Sequence, residues 1–238
     1  KKEIKNWNGL NNLDLVTKVT SKNIYEWDKK IWKINNQSNS LLKESKLHVV
    51  VIDFGIKFNI LRNLYEIGLK VTVVPSNINF KELIKLKPDG IILSNGPGDP
   101  KATYKNLTLN VLELSNIDIP IFGICIGHQI LALALGAKTE KMTQGHRGGN
   151  HPVLNLKNQT VEITSQNHGF KVVEKGFPKE LNITHKSLFD GSIEGFEHRV
   201  KKLFAVQYHP ESSPGPHDSK YLFEKFLLLI KENKREYA

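Results

Sequence analysis

Residues 119–137 read I-P-I-F-G-I-C-I-G-H-Q-I-L-A-L-A-L-G-A and contain the clearest indication of the fold class. The short apolar run 119–124 predicts a buried strand, and the Leu- and Ala-rich run 129–135, closed by Gly136, predicts a helix. Cys125, the single cysteine of the chain, lies at the junction. Because a strand that leads directly into a helix is the unit of α/β proteins, the stretch indicates that class.

Two glycines frame the cysteine, Gly123 and Gly127, each two residues away. This spacing is typical of a sharp strand-to-helix turn that holds a nucleophile above a sheet, and glycine suits it because no Cβ blocks the neighbouring backbone. The positive end of the helix dipole favours a thiolate at that position. A lone cysteine is more often an inert core residue, but the glycine frame favours a nucleophile here.

The same strand-helix pattern precedes this stretch. Residues 47–54 and 69–74 predict strands, with a helical pattern between them that ends at Gly68. We further predict a helix over 80–86, a strand over 90–93 and a helix over 107–114. The implied fold is α/β, with a mostly parallel central sheet flanked by helices on both faces.

After Gly136 the pattern changes to a turn-rich, partly antiparallel C-terminal part. It continues to an apolar strand over 203–208, and residues 218–231 predict a closing amphipathic helix.

Residues 1–46 differ in composition from the rest. They hold all three tryptophans, Trp7, Trp27 and Trp32, and the polar run N-N-Q-S-N-S at 35–40. We interpret residues 1–46 as a tail or linker from a preceding N-terminal domain, with the tryptophans packed against it, and residues 47–238 as the α/β domain.

The composition excludes several classes of protein. No apolar run is long enough to span a membrane, and the chain does not open on a signal-like stretch, so we expect no membrane partner. A single cysteine fits a reducing, cytoplasmic compartment. The net charge of +10 raises the possibility of nucleic-acid binding, but the lysines are dispersed and no nucleic-acid motif accompanies them. We therefore expect no nucleic-acid partner.

A thiolate nucleophile requires a base and a group that orients the base. The strand at 203–208 leads into His209, Pro210 and Glu211, and extended backbone would direct the histidine and the glutamate to one face. The attacked carbonyl also requires N–H donors, which the loop S-N-G-P-G-D-P at 94–100 and the start of the helix could supply. In a parallel sheet these loops share one edge.

G-I-C-I-G-H-Q, S-N-G-P-G-D-P and H-P-E resemble a class I glutamine amidotransferase with a Cys-His-Glu triad. Four further stretches resemble the glutaminase subunit or domain of carbamoyl-phosphate synthetases: 145–153, 165–170, 184–191 and 209–218. The resemblance runs from about residue 10 to the C-terminal helix. It implies that residues 47–238 are an amidotransferase domain that hydrolyses the glutamine side-chain amide through a cysteine thioester and supplies ammonia for carbamoyl phosphate synthesis.

The resemblance also assigns residues. It implies Cys125 as the nucleophile, His209 as the general base and acid, and Glu211 as its orienting partner. The positions that match the family's glutamine site are Gly96, Gly98, Ile126, Gln129, Asn167, Gly169 and Phe170. The N–H groups of Gly98 and Ile126 would stabilise the oxyanion, and because a backbone group is needed, isoleucine in place of the family's usual leucine should matter little.

The implied partners are L-glutamine, a carbamoyl-phosphate synthetase large subunit or fused synthetase domains, and the preceding N-terminal domain. No cofactor is expected in this domain, since ATP and Mg belong to the synthetase, which feeds pyrimidine or arginine synthesis. Alternatives are an amidotransferase for anthranilate, GMP or CTP synthesis, against which the stretches at 145–153 and 184–191 argue, and a non-catalytic regulatory module, against which the complete triad argues.

Two other patterns, a kinase-like tripeptide and a set of histidines, are weak evidence of function. Asp53-Phe54-Gly55 spells a kinase motif, but no glycine-rich ATP loop or catalytic loop accompanies it. The histidines His128, His146, His151 and His168 match no common metal-ligand spacing, so no metal site is expected.

Overall fold

A computed structural model describes residues 9–31 and 47–236. Ten strands form one sheet in the described part of the chain. They are β1 (Tyr25–Trp27), β2 (His48–Asp53), β3 (Lys70–Pro75), β4 (Gly90–Leu93), β5 (Ile121–Ile124), β6 (Lys138–Asn155), β7 (Thr160–Val173), β8 (Leu181–Ser187), β9 (Ile193–His198) and β10 (Leu203–Val206). The helices are α1 (Val16–Val19), α2 (Phe58–Glu66), α3 (Phe80–Lys85), α4 (Pro100–Asn106), α5 (Val111–Leu114), α6 (Ile126–Ala134) and α7 (Tyr221–Glu236).

The strand order is β1-β3-β2-β4-β5-β10-β9-β7-β6-β8, with β8 also paired to β9. The run from β3 to β10 is parallel, and β1 and the strands beyond β10 pair antiparallel. The predicted α/β class, with a parallel centre and a partly antiparallel C-terminal part, is therefore confirmed. Because β4, β5 and β10 are adjacent and parallel, the loops after their carboxyl ends meet at one edge.

Helices cover both faces of the parallel strands. On one face, α5 and α6 pack Val111, Leu114, Ile126 and Ile130 against the sheet. On the other face, α2 and α7 contribute their own apolar residues, namely Ile60, Leu61, Leu64, Leu222, Phe226 and Ile230. With both faces covered, β4 and β5 are buried along their whole length, which explains the continuous apolar runs in the sequence.

The helix predicted over 107–114 is shorter in the structure, where α5 spans only Val111–Leu114, and α4 (Pro100–Asn106) was not predicted. Pro100 begins α4 behind an Asp99 cap whose side chain accepts from the Lys101 N–H, and Leu107 ends it with extended backbone. The Asn110 side chain then caps α5 by accepting from the Glu113 N–H. Helix-capping residues, more than apolar spacing, set these boundaries.

The described part of the N-terminal region packs onto the sheet. Strand β1 pairs antiparallel with β3, and Trp27 is buried with its ring centroid 5.1 Å from that of Phe58. Trp27 is thus a core residue of this domain, contrary to the prediction that it packs against a preceding one. Trp7 and Trp32 lie outside the described residues, and the boundary at residue 46 stays a prediction.

Among the described residues, no helix combines the length and apolar character required to cross a membrane.

Candidate active site

The turn between β5 and α6 holds Cys125 in a rare backbone conformation, with φ 56° and ψ −106°. Strain of this kind persists where the surroundings impose it and is common at functional sites. Here the Cys125 N–H donates to the Val206 carbonyl of β10 at 2.9 Å, and its own carbonyl accepts from the Gln129 N–H at 3.2 Å. The neighbouring strand and the helix therefore position the thiol.

The two framing glycines are required by space. A Cβ on Gly127 would lie 2.1 Å from the Leu93 carbonyl oxygen, and one on Gly123 would lie 2.9 Å from the Gly127 oxygen. The Gly127 N–H donates to the Ser94 carbonyl at 3.1 Å. The turn that holds Cys125 is thus packed directly against the end of β4, and the glycines permit the close backbone approach that their spacing predicted.

The loop after β4, residues 94–100, is packed equally closely. A Cβ on Gly96 would lie 1.9 Å from the Phe54 oxygen, and Gly98 has φ +104° beside the Leu13 backbone. The Ser94 hydroxyl accepts from the Phe54 N–H at 2.9 Å. These contacts place the loop beside Cys125, where its N–H groups and those of the first turn of α6 can face a developing negative charge.

His209 and Glu211 form a buried pair. The distance from His209 Nδ1 to Glu211 Oε1 is 2.7 Å, and Lys57 Nζ lies 3.1 Å from the same oxygen. The expected extended geometry is wrong: β10 ends at Val206, and a turn closed by the Ser212 N–H and the His209 carbonyl joins the two residues. Lys57 was missed in the sequence because it lies far from Glu211 along the chain.

The charges of this pair set its protonation. Burial lowers the pKa of His209, but the charges of Glu211 and then Cys125 outweigh burial and raise the pKa to about 10. Burial raises the pKa of Glu211, but His209 and then Lys57 outweigh it and the pKa is lowered. Near neutral pH the pair is therefore an imidazolium and a carboxylate, and the imidazolium has a proton to give.

Cys125 and His209 line one cavity of about 310 Å³. Most residues expected from the resemblance line it as well: Gly96, Gly98, Gln129, Asn167, Gly169 and Phe170. The Ile126 side chain lies in the core instead, which leaves its backbone N–H as the group it can offer. Arg147 also lines the cavity and was not singled out, although it lies in the stretch 145–153.

Gln129 is held by two acceptors. Its Nε2 donates to the Phe170 carbonyl and to Gln207 Oε1, both at 2.8 Å. Since a primary amide has two N–H groups, both are used within the protein. The group that Gln129 can offer a ligand is its carbonyl oxygen, an acceptor suited to an ammonium.

A buried group near the cavity has the residue types of a metal site. His146, His168 and Glu194 have potential ligand atoms within 4.8 Å of one another, although no sequence spacing indicated this. Hydrogen bonds already use part of the group: His168 Nδ1 donates to the Phe170 carbonyl at 2.8 Å, and Glu194 Oε2 accepts from Gln166 Nε2 at 2.8 Å. That no metal binds in this domain stays a prediction.

Comparisons with known proteins identify relatives of the chain. The family model described as "Glutamine amidotransferase class-I" matches residues 50–229. The carbamoyl phosphate synthase small chain of Zymomonas mobilis is 51% identical over 97% of this chain and 62% of its own length. That of Bartonella bacilliformis is 51% identical over 100% of this chain and 59% of its own length.

The chain thus spans about 60% of the length of the curated relatives it matches. A solved structure from Thermoplasma acidophilum, described as a GMP synthase protein, has a TM-score of 0.70 at 22% identity and covers 80% of this chain and 97% of its own. At this identity the likeness concerns the fold alone. Because the family model matches well over half of the residues, the chain belongs to the class I glutamine amidotransferase family.

Proposed function

We propose that the chain is the glutaminase component of a carbamoyl phosphate synthase and releases ammonia from the side-chain amide of L-glutamine. The observation that carries the proposal is the buried arrangement at the edge of the sheet. Cys125 projects from a strained turn into a cavity that it shares with His209, and Glu211 holds the imidazole on its other side at 2.7 Å.

The chemistry follows from this arrangement. The Cys125 sulfur attacks the amide carbon, and the carbonyl oxygen takes the negative charge, facing the N–H groups of Gly98 and Ile126. His209 gives its proton to the amide nitrogen, the C–N bond breaks, and ammonia leaves a γ-glutamyl thioester. His209 then takes a proton from water, whose oxygen attacks the thioester carbon, and glutamate departs as Cys125 is restored.

Glutamine is held by groups at the cavity wall. Gln129 and Asn167 offer amide partners, the backbone at Gly96, Gly169 and Phe170 approaches closely, and no step needs a cofactor in this domain. The carbamoyl phosphate product is inferred from the names of the relatives that are about half identical over nearly the whole chain. The partner is then a synthetase large subunit or fused synthetase domains, which bind ATP and Mg, in the cytoplasm.

The test uses the full-length protein with its synthetase partner, bicarbonate, ATP and glutamine labelled with ¹⁵N in the side-chain amide. We expect ¹⁵N-carbamoyl phosphate from the wild type and none from Cys125→Ser. With free ammonia as the nitrogen donor, both should make the product, which shows that the partner is intact. Amination of another acceptor, such as a purine or pyrimidine nucleotide, would contradict the proposal, as would glutamine-dependent product from Cys125→Ser.

A further inference from the structure

We propose that Gln207 is a positioning residue that makes the site selective for the α-ammonium group of glutamine, by orienting the amide of Gln129. This rests on the proposed function. Gln207 does not line the cavity, and the resemblance assigned it no role. Its side chain is fully buried directly after β10, and its backbone N–H donates to the Glu194 carbonyl at 2.8 Å.

The amide of Gln129 has two chemically different ends, a nitrogen that donates and an oxygen that accepts. Nε2 points at two oxygens, Phe170 O and Gln207 Oε1, each 2.8 Å away. Turning the amide over would place its oxygen against both acceptors, which electrostatic repulsion opposes in a buried site. Phe170 and Gln207 together therefore hold one orientation, with Oε1 of Gln129 at the end away from them.

Gln129 is 3% exposed and lines the cavity, so its oxygen has little access to bulk water. An ammonium donor there forms a charge-assisted hydrogen bond, which is stronger than a neutral one. A ligand without that donor leaves a buried acceptor unpaired. Sites built on such a contact reject the analogue that lacks it far more strongly than apolar pockets reject a missing methylene.

Gln207 is well placed to act as a fixed acceptor because its surroundings are uncharged on the side of His128. Burial lowers the pKa of His128 to about 3, so this neighbouring ring is neutral at physiological pH. A neutral ring places no positive charge beside the Gln207 oxygen, which accepts from Gln129 Nε2 at 2.8 Å.

The test compares two substrates in the full-length protein: L-glutamine and 4-carbamoylbutanoate, which has the same side-chain amide and carboxylate but no α-amino group. We expect the wild type to prefer glutamine by kcat/KM. Gln207→Met removes the acceptor at nearly constant volume and should reduce this preference roughly tenfold, the scale of one hydrogen bond to a charged group. The loss should appear mainly in KM for glutamine, because the α end is remote from the reacting carbon.

Three further variants separate positioning from a general structural role. Gln207→Glu keeps an acceptor oxygen at the same reach and should retain most of the preference, whereas Gln207→Asn withdraws the acceptor and should behave like the methionine variant. Asn233 carries another buried amide, which donates to the Asp118 carbonyl at 2.8 Å and does not line the cavity. Asn233→Leu removes that amide and should leave the preference for glutamine unchanged.

A general structural defect would slow both substrates alike. Equal kcat/KM losses for the two substrates in Gln207→Met and Gln207→Asn, or an unchanged preference, would overturn this inference while leaving the proposed function intact. A wild type that hydrolyses neither amide would instead overturn the proposed function.

Discussion

Replacing Glu211 with glutamine tests the electrostatic basis of the site most directly. The carboxylate is fully buried, accepts from His209 Nδ1 at 2.7 Å and faces Lys57 Nζ at 3.1 Å. A glutamine side chain has nearly the same shape without the charge. Lys57 is about one third exposed and can turn toward water, so the cost of the change falls on His209.

The size of the effect follows from the pKa of His209, which is raised from 6.5 to about 10 although burial alone lowers it. That difference corresponds to about 5 kcal/mol of interaction favouring the charged ring. Breaking one side of a buried ion pair costs about 3–5 kcal/mol in other proteins, which is of the same order. Because Cys125 supplies part of the effect, we expect Glu211→Gln to lose about 3 kcal/mol of unfolding free energy at pH 7.

Activity should fall as well, since an uncharged ring has no proton to give the leaving nitrogen. We expect kcat for ammonia release to drop roughly a hundredfold in Glu211→Gln and further in His209→Asn, because proton transfer contributes more than orientation. Urea unfolding measures the stability, and NMR of ¹⁵N-labelled imidazoles measures the pKa of His209, which should fall when the Glu211 charge is removed. A His209 ring that still titrates near 10 in Glu211→Gln, or a smaller loss of kcat in His209→Asn, would refute the reasoning.

Glu162→Gln is the matched control. Glu162 is also buried and faces a histidine, with Oε1 3.6 Å from His185 Nε2, and it accepts from the Tyr221 hydroxyl at 2.9 Å. It does not line the cavity. We expect this variant to be destabilised to a similar degree and to keep kcat within a few fold of the wild type.

Three further predictions follow from the same contacts. Cys125→Ser should abolish ammonia release, because a serine hydroxyl is a much weaker nucleophile than a thiolate; wild-type-like release would contradict the assignment. Gly127→Ala should lose at least about 3 kcal/mol in urea unfolding, because its Cβ would lie 2.1 Å from a backbone oxygen, whereas Gly176→Ala, which meets no atom within 4 Å, should lose about 1 kcal/mol for its positive φ alone. The stabilisation from charged His209 is complete below pH 6.5 and lost as the pH rises toward 10, so the difference in unfolding free energy between wild type and His209→Asn should shrink from pH 6 to pH 10; a constant difference would count against the raised pKa.

Local patterns in the sequence were sufficient to predict the α/β class and the tight strand-to-helix turn at Cys125. Continuous apolar runs identified strands covered on both faces, and the two glycines around Cys125 are explained by atoms that a Cβ would strike. Helix boundaries were less predictable, because the helix predicted over 107–114 begins only at Val111 behind the Asn110 cap, and the helix that follows the Asp99 cap was not predicted. The set of residues expected to hold glutamine came from family resemblance, and most of it lines the cavity.

Tertiary structure decided the contacts between distant parts of the chain. Lys57 meets Glu211 because α2 begins beside the loop after β10, and Gln207 meets Gln129 because β10 lies next to β5. Strand order also placed Arg147 at the cavity and Trp27 in the core. Periodicity and glycine spacing report which face of an element is buried and where the backbone must be small. They carry no information about which elements become neighbours, because that depends on how all the apolar faces are buried together.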